Sequence, residues 1–159
     1  MRAHGVRKGD RVAVVASNSV DTLCVFLGVT ALGGLFSSSS TDMGTSGVLA
    51  RLTQVKPRWV FVDDGALYNG KVVDLRPKMR EIVEGMEGVV EFEGVVSVPR
   101  LEEGKSLEGL GRCVGLEDFL DKGSERDLRF ERVGFNDAFL IVYSSGVSFL
   151  SRMRFHVWS

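Results

Sequence analysis

Residues 138–146 read AFLIVYSSG, an apolar run that passes directly into small polar residues. The four consecutive apolar residues Phe139–Val142 are long enough for a buried central strand. The serines and the glycine behind them supply hydroxyl groups and a flexible backbone where that strand ends. The stretch therefore predicts a buried strand that runs into a turn able to hold a phosphate. An ordinary strand-end turn is the alternative interpretation.

Strands of this kind alternate with helices along the chain. Apolar runs bounded by turn residues predict strands, and apolar residues at helical spacing predict helices. The predicted strands cover 11–16, 58–62, 95–98 and 139–143, with a short one at 35–36, and the predicted helices cover 20–31, 45–55, 76–86 and 116–120. This alternation predicts an α/β fold, an open and mainly parallel sheet with helices on both faces.

Three segments carry expectations that rest on composition. The helix over 20–31 is apolar on nearly all sides, so we expect it to be deeply packed, with Cys24 as a small core residue. The segment 100–115 is charged and contains glycines without a clear period, which indicates an exposed connection. The small polar residues over 37–44 indicate a loop.

Three loops follow predicted strands and are therefore candidates for a ligand site. They cover 37–44, 63–71 and 144–146. In open parallel sheets, ligands bind beyond the carboxyl ends of the strands. We expect all three loops to open on the same edge of the sheet.

Charge and residue usage exclude several classes of function. The formal net charge of −1 provides no basic surface field for nucleic acid. No apolar run has the length of a membrane span, and the first ten residues lack the apolar core of a signal peptide. The two histidines lie near opposite ends, and the two cysteines lack metal-ligand spacing. We expect a cytoplasmic globular domain whose partners are small molecules at most.

Several separated segments occur in an order typical of one group of enzymes. They are GVRKGDRVA at 5–13, ALGGLFSSSSTDMG at 31–44, VDD at 62–64, YNGK at 68–71, FERVGF at 130–135 and YSSG at 143–146. Together they resemble the acetoacetyl-CoA synthetase family of the acyl-adenylate-forming synthetases. The family's phosphate loop ordinarily continues through threonine, glycine, proline and lysine, whereas VSFL follows Gly146 here.

The resemblance implies a reaction in two steps. ATP and a carboxylate such as acetoacetate give an acyl-adenylate and pyrophosphate, and the thiol of coenzyme A then displaces AMP. In the family, the loop beginning at Tyr143 helps to bind the triphosphate together with Mg²⁺. Carried over by position, Ser144, Ser145 and Gly146 would be the ATP contacts. The resemblance assigns no catalytic residue to this chain, because the acyl pocket, the ribose motif and the mobile C-terminal domain have no counterpart in it.

The resemblance also implies contacts with coenzyme A. In related acetyl-CoA synthetases, the segments corresponding to 37–44 and 68–71 face the nucleotide end of coenzyme A. By this resemblance Lys71 would pair with a phosphate of that cofactor as a point charge. Relatives of the acetyl type use arginine around this turn, where this chain has Tyr68, Asn69 and Lys71. A solvated lysine in a surface turn is the alternative.

The last thirteen residues do not resemble what the family has there. We expect residues 1–146 to form part of a synthetase N-terminal domain, and 147–159 to form a non-homologous, disordered tail. The alternative for the tail is a membrane-contacting or partner-binding stretch, because aromatic residues alternate there with Arg152 and Arg154. Three hypotheses follow for the chain: a synthetase fragment without turnover, a non-catalytic nucleotide- or protein-binding module, and a chain that does not fold stably.

Overall fold

The computed structural model describes residues 1–101, 106–123 and 128–143, together with the backbone of residues 153–157. The described strands are β1 (Arg11–Val15), β2 (Leu35–Ser39), β3 (Trp59–Asp63), β4 (Gly65–Tyr68), β5 (Lys71–Asp74), β6 (Gly94–Val98), β7 (Cys113–Gly115), β8 (Ala138–Tyr143) and β9 (Met153–Val157). The described α-helices are α1 (Val20–Ala31), α2 (Thr45–Val55), α3 (Arg76–Gly85) and α4 (Leu116–Asp121). A short 3₁₀ helix covers Arg2–His4.

Seven strands form one sheet in the order β7-β6-β3-β1-β2-β8-β9. The first six pair in parallel, and β9 pairs antiparallel with β8 at the edge. Strands β4 and β5 form a separate hairpin. The predicted α/β fold with an open, mainly parallel sheet is confirmed.

The core lies on both faces of the sheet because side chains along each strand alternate between the faces. Ala13 and Val15 of β1 pack with α2 and α3, in a cluster that includes Val48 and Met79. Val12 and Val14 pack on the opposite face with residues of α1 and with Phe119 of α4. The sheet is therefore covered by helices on both sides, as predicted.

The orientation of α1 differs from the expectation of a deeply packed helix. Only Val25, Val29 and Ala31 of this helix are buried. Leu23 and Leu27 are 54% and 53% exposed, and Cys24 is exposed as well. The expectation that Cys24 is a core residue is wrong, because the helix presents its Val25 and Val29 side to the sheet. An apolar helix can pack only one side against a single sheet face.

Two of the segments that were expected to be loops contain strands of the main sheet, and a third, 63–71, contains β4 of the separate hairpin. Residues 37–39 continue β2, where they pair with β1, and the side chain of Ser37 is buried. Residues 113–115 form β7 beside β6, inside the segment expected to be an exposed connection. Both strands are polar or short, so their sequences carry no apolar alternation, and only pairing with a neighbouring strand defines them.

Part of the C-terminal segment pairs with the sheet. The backbone of residues 153–157 forms β9, with Met153 opposite Tyr143 in the ladder, and the expectation of a non-homologous, disordered tail stays a prediction. Pairing with β9 satisfies backbone groups that β8 would otherwise expose at the sheet edge. The rest of 147–159 lies outside the described residues, and the domain boundary at 146 stays a prediction.

Candidate functional site

A crevice of about 660 Å³ opens at the carboxyl ends of β1 and β2. The chain leaves β1 into α1 on one face of the sheet and leaves β2 into α2 on the other face. Strand ends whose connections leave toward opposite faces are separated by an opening, which is where ligands bind in open α/β sheets. The topology itself therefore creates this crevice.

The crevice combines hydroxyl groups, apolar surface and one cation. Its lining includes Ser17, Ser19, Thr22 and residues 38–40, and Phe26 and Phe36 meet edge to face at 5.2 Å. Arg51 of α2 lies on its border. Such a surface can hydrogen-bond a polar or phosphorylated group while it packs against an apolar or aromatic one.

The wall on the α1 side is attached to the sheet through Asp63. This carboxylate is fully buried at the end of β3. Its Oδ2 accepts hydrogen bonds from the backbone N–H of Ser17 at 2.8 Å and from the Ser17 hydroxyl at 2.7 Å. Ser19 follows as the N-cap of α1 and accepts the N–H of Thr22 at 3.2 Å.

Arg100, which follows β6, neutralises the buried Asp63. Its Nε donates to Asp63 at 3.0 Å, Nη1 to Asp21 at 2.6 Å and Nη2 to Ser19 at 2.6 Å. Burial by itself would lower the pKa of Arg100, but the hydrogen bond to Asp21 and the charge of Asp63 raise the pKa above its ordinary value. The guanidinium is thus a permanent cation that links β3 and the start of α1.

Lys78 of α3 holds the segment behind the opposite wall. Its ammonium donates to the backbone carbonyls of Thr41 at 2.6 Å and Met43 at 2.8 Å. Burial lowers the pKa of Lys78, and the charges of Asp42 and Glu81 oppose that effect. Met43 lines the crevice, so this lysine supports the crevice without lining it.

Arg51 connects α2 with the end of β8. Its guanidinium lies 4.7 Å from the centre of the Tyr143 ring, and the Tyr143 hydroxyl donates to the Arg51 carbonyl at 3.1 Å. Burial raises the pKa of Tyr143, and the charge of Arg51 opposes the rise. The residue that directly precedes the predicted ATP turn is therefore anchored to the helix that borders the crevice.

The structure describes one of the four residues predicted to contact ligands, Lys71, and the other three lie outside the described part of the chain. Those three are Ser144, Ser145 and Gly146, and Tyr143 before them is the last residue of β8, at the carboxyl edge of the sheet. Lys71 is exposed at the first position of β5 and does not line the crevice. Asn69 and Gly70 before it both have positive φ angles, 49° and 74°, as a tight hairpin turn requires. The predicted turn is confirmed, and the phosphate contacts stay predictions.

Sequence reasoning missed Arg100, Lys78 and the role of Arg51. Asp63 could have indicated the first of these, since a carboxylate that ends a buried strand requires a cation or several donors. Nothing in the sequence indicates which cation, because Arg100 lies 37 positions further along the chain. Among the described residues, no group of three or more His, Cys, Asp or Glu side chains could hold a metal ion.

Comparisons with known proteins agree with this fold. A model of the family "AMP-binding enzyme" matches residues 1–147. The chain is 34% identical to acetoacetyl-CoA synthetase of Danio rerio, over 98% of this chain and 24% of that protein. It is 32% identical to acetoacetyl-coenzyme A synthetase of Rhizobium meliloti, over 98% of this chain and 23% of that protein.

A solved structure shares the architecture. Acetoacetyl-CoA synthetase from Streptomyces lividans superimposes with a TM-score of 0.84 at 28% identity, over 98% of this chain and 23% of that one. The chain thus spans about a quarter of the length of the curated relatives it matches. The resemblance to acetoacetyl-CoA synthetases is confirmed. Because the family model covers nearly all of the sequence, the chain belongs to the AMP-binding enzyme family.

Proposed function

We propose that this chain forms part of the nucleotide-binding N-terminal domain of an acid–thiol ligase that activates a short carboxylic acid such as acetoacetate. The supporting observation is the similarity to acetoacetyl-CoA synthetases over 98% of the chain. The proposed reaction joins the acid to AMP with release of pyrophosphate and then transfers the acyl group to coenzyme A. We also propose a cytosolic location, because none of the described helices is long and apolar enough to cross a membrane and the relatives carry the names of CoA ligases.

The turn after β8 is the proposed ATP contact. Backbone N–H groups and the hydroxyls of Ser144 and Ser145 would hold phosphate oxygens, and Gly146 would let the backbone approach them. Tyr143 supports this assignment, because its hydrogen bond to α2 fixes where the turn leaves the sheet. Mg²⁺ would arrive with ATP and neutralise the phosphate charge during adenylation.

The crevice between β1 and β2 is the proposed site for the nucleotide end of coenzyme A. It offers hydroxyls, the aromatic pair Phe26 and Phe36, and the cation Arg51. Phosphate groups favour cations and hydroxyl donors, and a nucleotide base favours aromatic surface. Lys71 would bind a phosphate from the exposed hairpin, outside the crevice itself.

Titration calorimetry on the purified chain tests these sites with coenzyme A and with ATP and Mg²⁺. We expect Lys71→Ala to weaken coenzyme A binding by about fivefold, as for one exposed charge contact, and Ser145→Ala to weaken ATP binding. Lys122→Ala is the matched control, because Lys122 is an exposed lysine that follows α4 on another part of the surface. Equal coenzyme A affinity in the Lys71 and Lys122 variants contradicts the Lys71 contact.

A chain that binds neither ligand would contradict the nucleotide-binding role and leave a protein-binding role. A second candidate function is a non-catalytic module, which would bind both ligands without any chemistry. The crevice supports that second candidate, since its lining lies wholly within the described residues.

A further inference from the structure

The α1 wall of the crevice is a connecting loop that depends on other elements for its position. Ser17 and Asn18 belong neither to β1 nor to α1. The loop bonds to the sheet through the two hydrogen bonds from Ser17 to Asp63. Its position therefore depends on how firmly the Asp63 carboxylate is held.

Arg100 supplies that constraint although it does not line the crevice. Its guanidinium bonds one acceptor on β3, Asp63, and two on the wall side, Ser19 and Asp21. The backbone N–H of Arg100 donates to the Asp64 carboxylate at 2.7 Å, and this bond holds the backbone of the arginine in place. One rigid planar group thus sets the distance between the strand and the start of the helix.

We propose that Arg100 is a positioning residue that holds residues 17–22 in the conformation that receives a ligand in the crevice. The identity of the ligand, coenzyme A, rests on the proposed function. The positioning role of Arg100 rests on the hydrogen bonds described above. Without the guanidinium, the Asp63 carboxylate would retain, among the described residues, its two bonds to Ser17, and Asp21 and Ser19 would each lose a short bond. The loop would then sample positions in which its hydroxyls no longer face the crevice.

Hydrogen exchange measured by mass spectrometry on the full chain tests the positioning directly, and calorimetry with coenzyme A tests its consequence. In Arg100→Met we expect the amides of 17–22 to exchange at least about tenfold faster, because one to two charge-assisted hydrogen bonds are lost. The exchange rates of the α3 amides should stay unchanged. Coenzyme A affinity should fall by about tenfold. Arg112→Met is the control, because the Arg112 guanidinium also makes a partly buried hydrogen bond, to the backbone carbonyl of Phe92, but lies beyond the amino end of β7, away from residues 17–22.

Arg100→Lys gives the conservative comparison. A lysine keeps a charge beside Asp63, but its compact ammonium cannot span the same three separated acceptors as the planar guanidinium, so intermediate exchange and intermediate affinity are expected. If Arg100→Met fails to fold, the exchange of 17–22 in Arg100→Lys decides the question. Unchanged exchange in 17–22 overturns the inference whatever happens to binding. If exchange in 17–22 is faster but the chain binds no coenzyme A, the positioning role is supported and only the proposed function is contradicted.

Discussion

Asp63 shows how one residue can depend on several distant ones. Its side chain has no solvent exposure, and its partners Ser17 and Arg100 lie 46 and 37 positions away. A buried charge is tolerated only when its partners replace the lost hydration. The carboxylate, the arginine and the loop therefore form one unit rather than three independent contacts.

Replacing Asp63 by alanine is expected to be among the costliest single changes to this chain. It would leave Arg100 without its buried partner and the N–H of Ser17 without an acceptor, at a cost of about 3–5 kcal/mol in the free energy of unfolding. Urea unfolding followed by circular dichroism measures the loss. Asp137→Ala is the control, since Asp137 also pairs with a cation, Lys8, and accepts a backbone N–H but lies at the surface. A loss no larger than that of the control would contradict the buried role of Asp63.

The two cysteines are expected to differ in reactivity. Cys24 is exposed on α1, whereas burial raises the pKa of the Cys113 thiol to about 11. Only about a thousandth of Cys113 is then thiolate at pH 8, and thiolate is the reactive form. A thiol reagent that releases a coloured product should show one fast and one slow phase, and Cys24→Ser should remove the fast phase.

The pH dependence of the slow phase gives a second check on Cys113. Its rate should rise about tenfold per pH unit between pH 8 and 10, because its thiolate fraction is still far from saturation. Burial keeps the folded thiol neutral up to higher pH, whereas an unfolded thiol has the ordinary pKa of 9.0, so ionisation above about pH 9 favours the unfolded state. Stability should therefore fall between about pH 9 and pH 11 in wild type. Equal reactivity of the two cysteines would contradict this assignment.

Among the elements, α1 determines how much apolar surface the molecule exposes. Its sequence is apolar on both sides, yet Val29 is fully buried and Leu27 is 53% exposed. Leu27→Lys should leave the free energy of unfolding within about 0.5 kcal/mol of wild type, as for a surface position. Val29→Lys should cost about 4 kcal/mol or more, because the ammonium would be buried without a partner. Thermal melts of both variants test this orientation, and similar losses in the two would show that it is wrong.

The junction of β6 and β7 depends on a glycine. A Cβ atom at Gly94 would lie 2.5 Å from the carbonyl oxygen of Arg112, which already accepts the N–H of Val95 at 2.8 Å. Gly94→Ala should therefore push β7 away and cost about 1–3 kcal/mol in urea unfolding. Gly88→Ala is the control, because a Cβ there meets nothing within 4 Å. No difference between the two would argue against β7 as a paired strand.

At the scale of the whole molecule, the chain combines the loops of the proposed nucleotide site with exposed apolar surfaces. Leu67, Val72 and Val90 are 74%, 66% and 96% exposed, in addition to the outer side of α1. Exposed apolar surface of this extent favours association with other surfaces. Ligand binding and self-association should therefore be measured together, at several protein concentrations.

We expect no ligase turnover from the 159-residue chain. It spans about a quarter of the length of the relatives it matches, and the resemblance assigns no catalytic residue to it. Pyrophosphate release should stay at the level of the protein-free blank with acetoacetate, ATP, Mg²⁺ and coenzyme A. The Streptomyces lividans acetoacetyl-CoA synthetase serves as the positive control. Release that requires both acetoacetate and ATP would contradict the expectation.

The sequence by itself determined the class of fold, the order of most elements and the family. Apolar strands such as Phe139–Val142 and amphipathic helices such as α2 encode their structure locally, because periodicity follows from backbone geometry. The tight turn at Asn69 and Gly70 is equally local, since its φ angles favour those residue types. The segments that identify the family are likewise readable without coordinates.

Only the tertiary structure decided which side of α1 is buried, where β7 and β9 pair, and that Arg100 and Lys78 support the crevice. These features depend on contacts between residues 35 to 81 positions apart, or on a neighbouring strand. A polar strand has no periodicity of its own, and a charged side chain has the same appearance in sequence whether it is solvated or bonded to a buried carboxylate. The physical reason is that burial and pairing belong to the folded arrangement, while propensity belongs to the local chain.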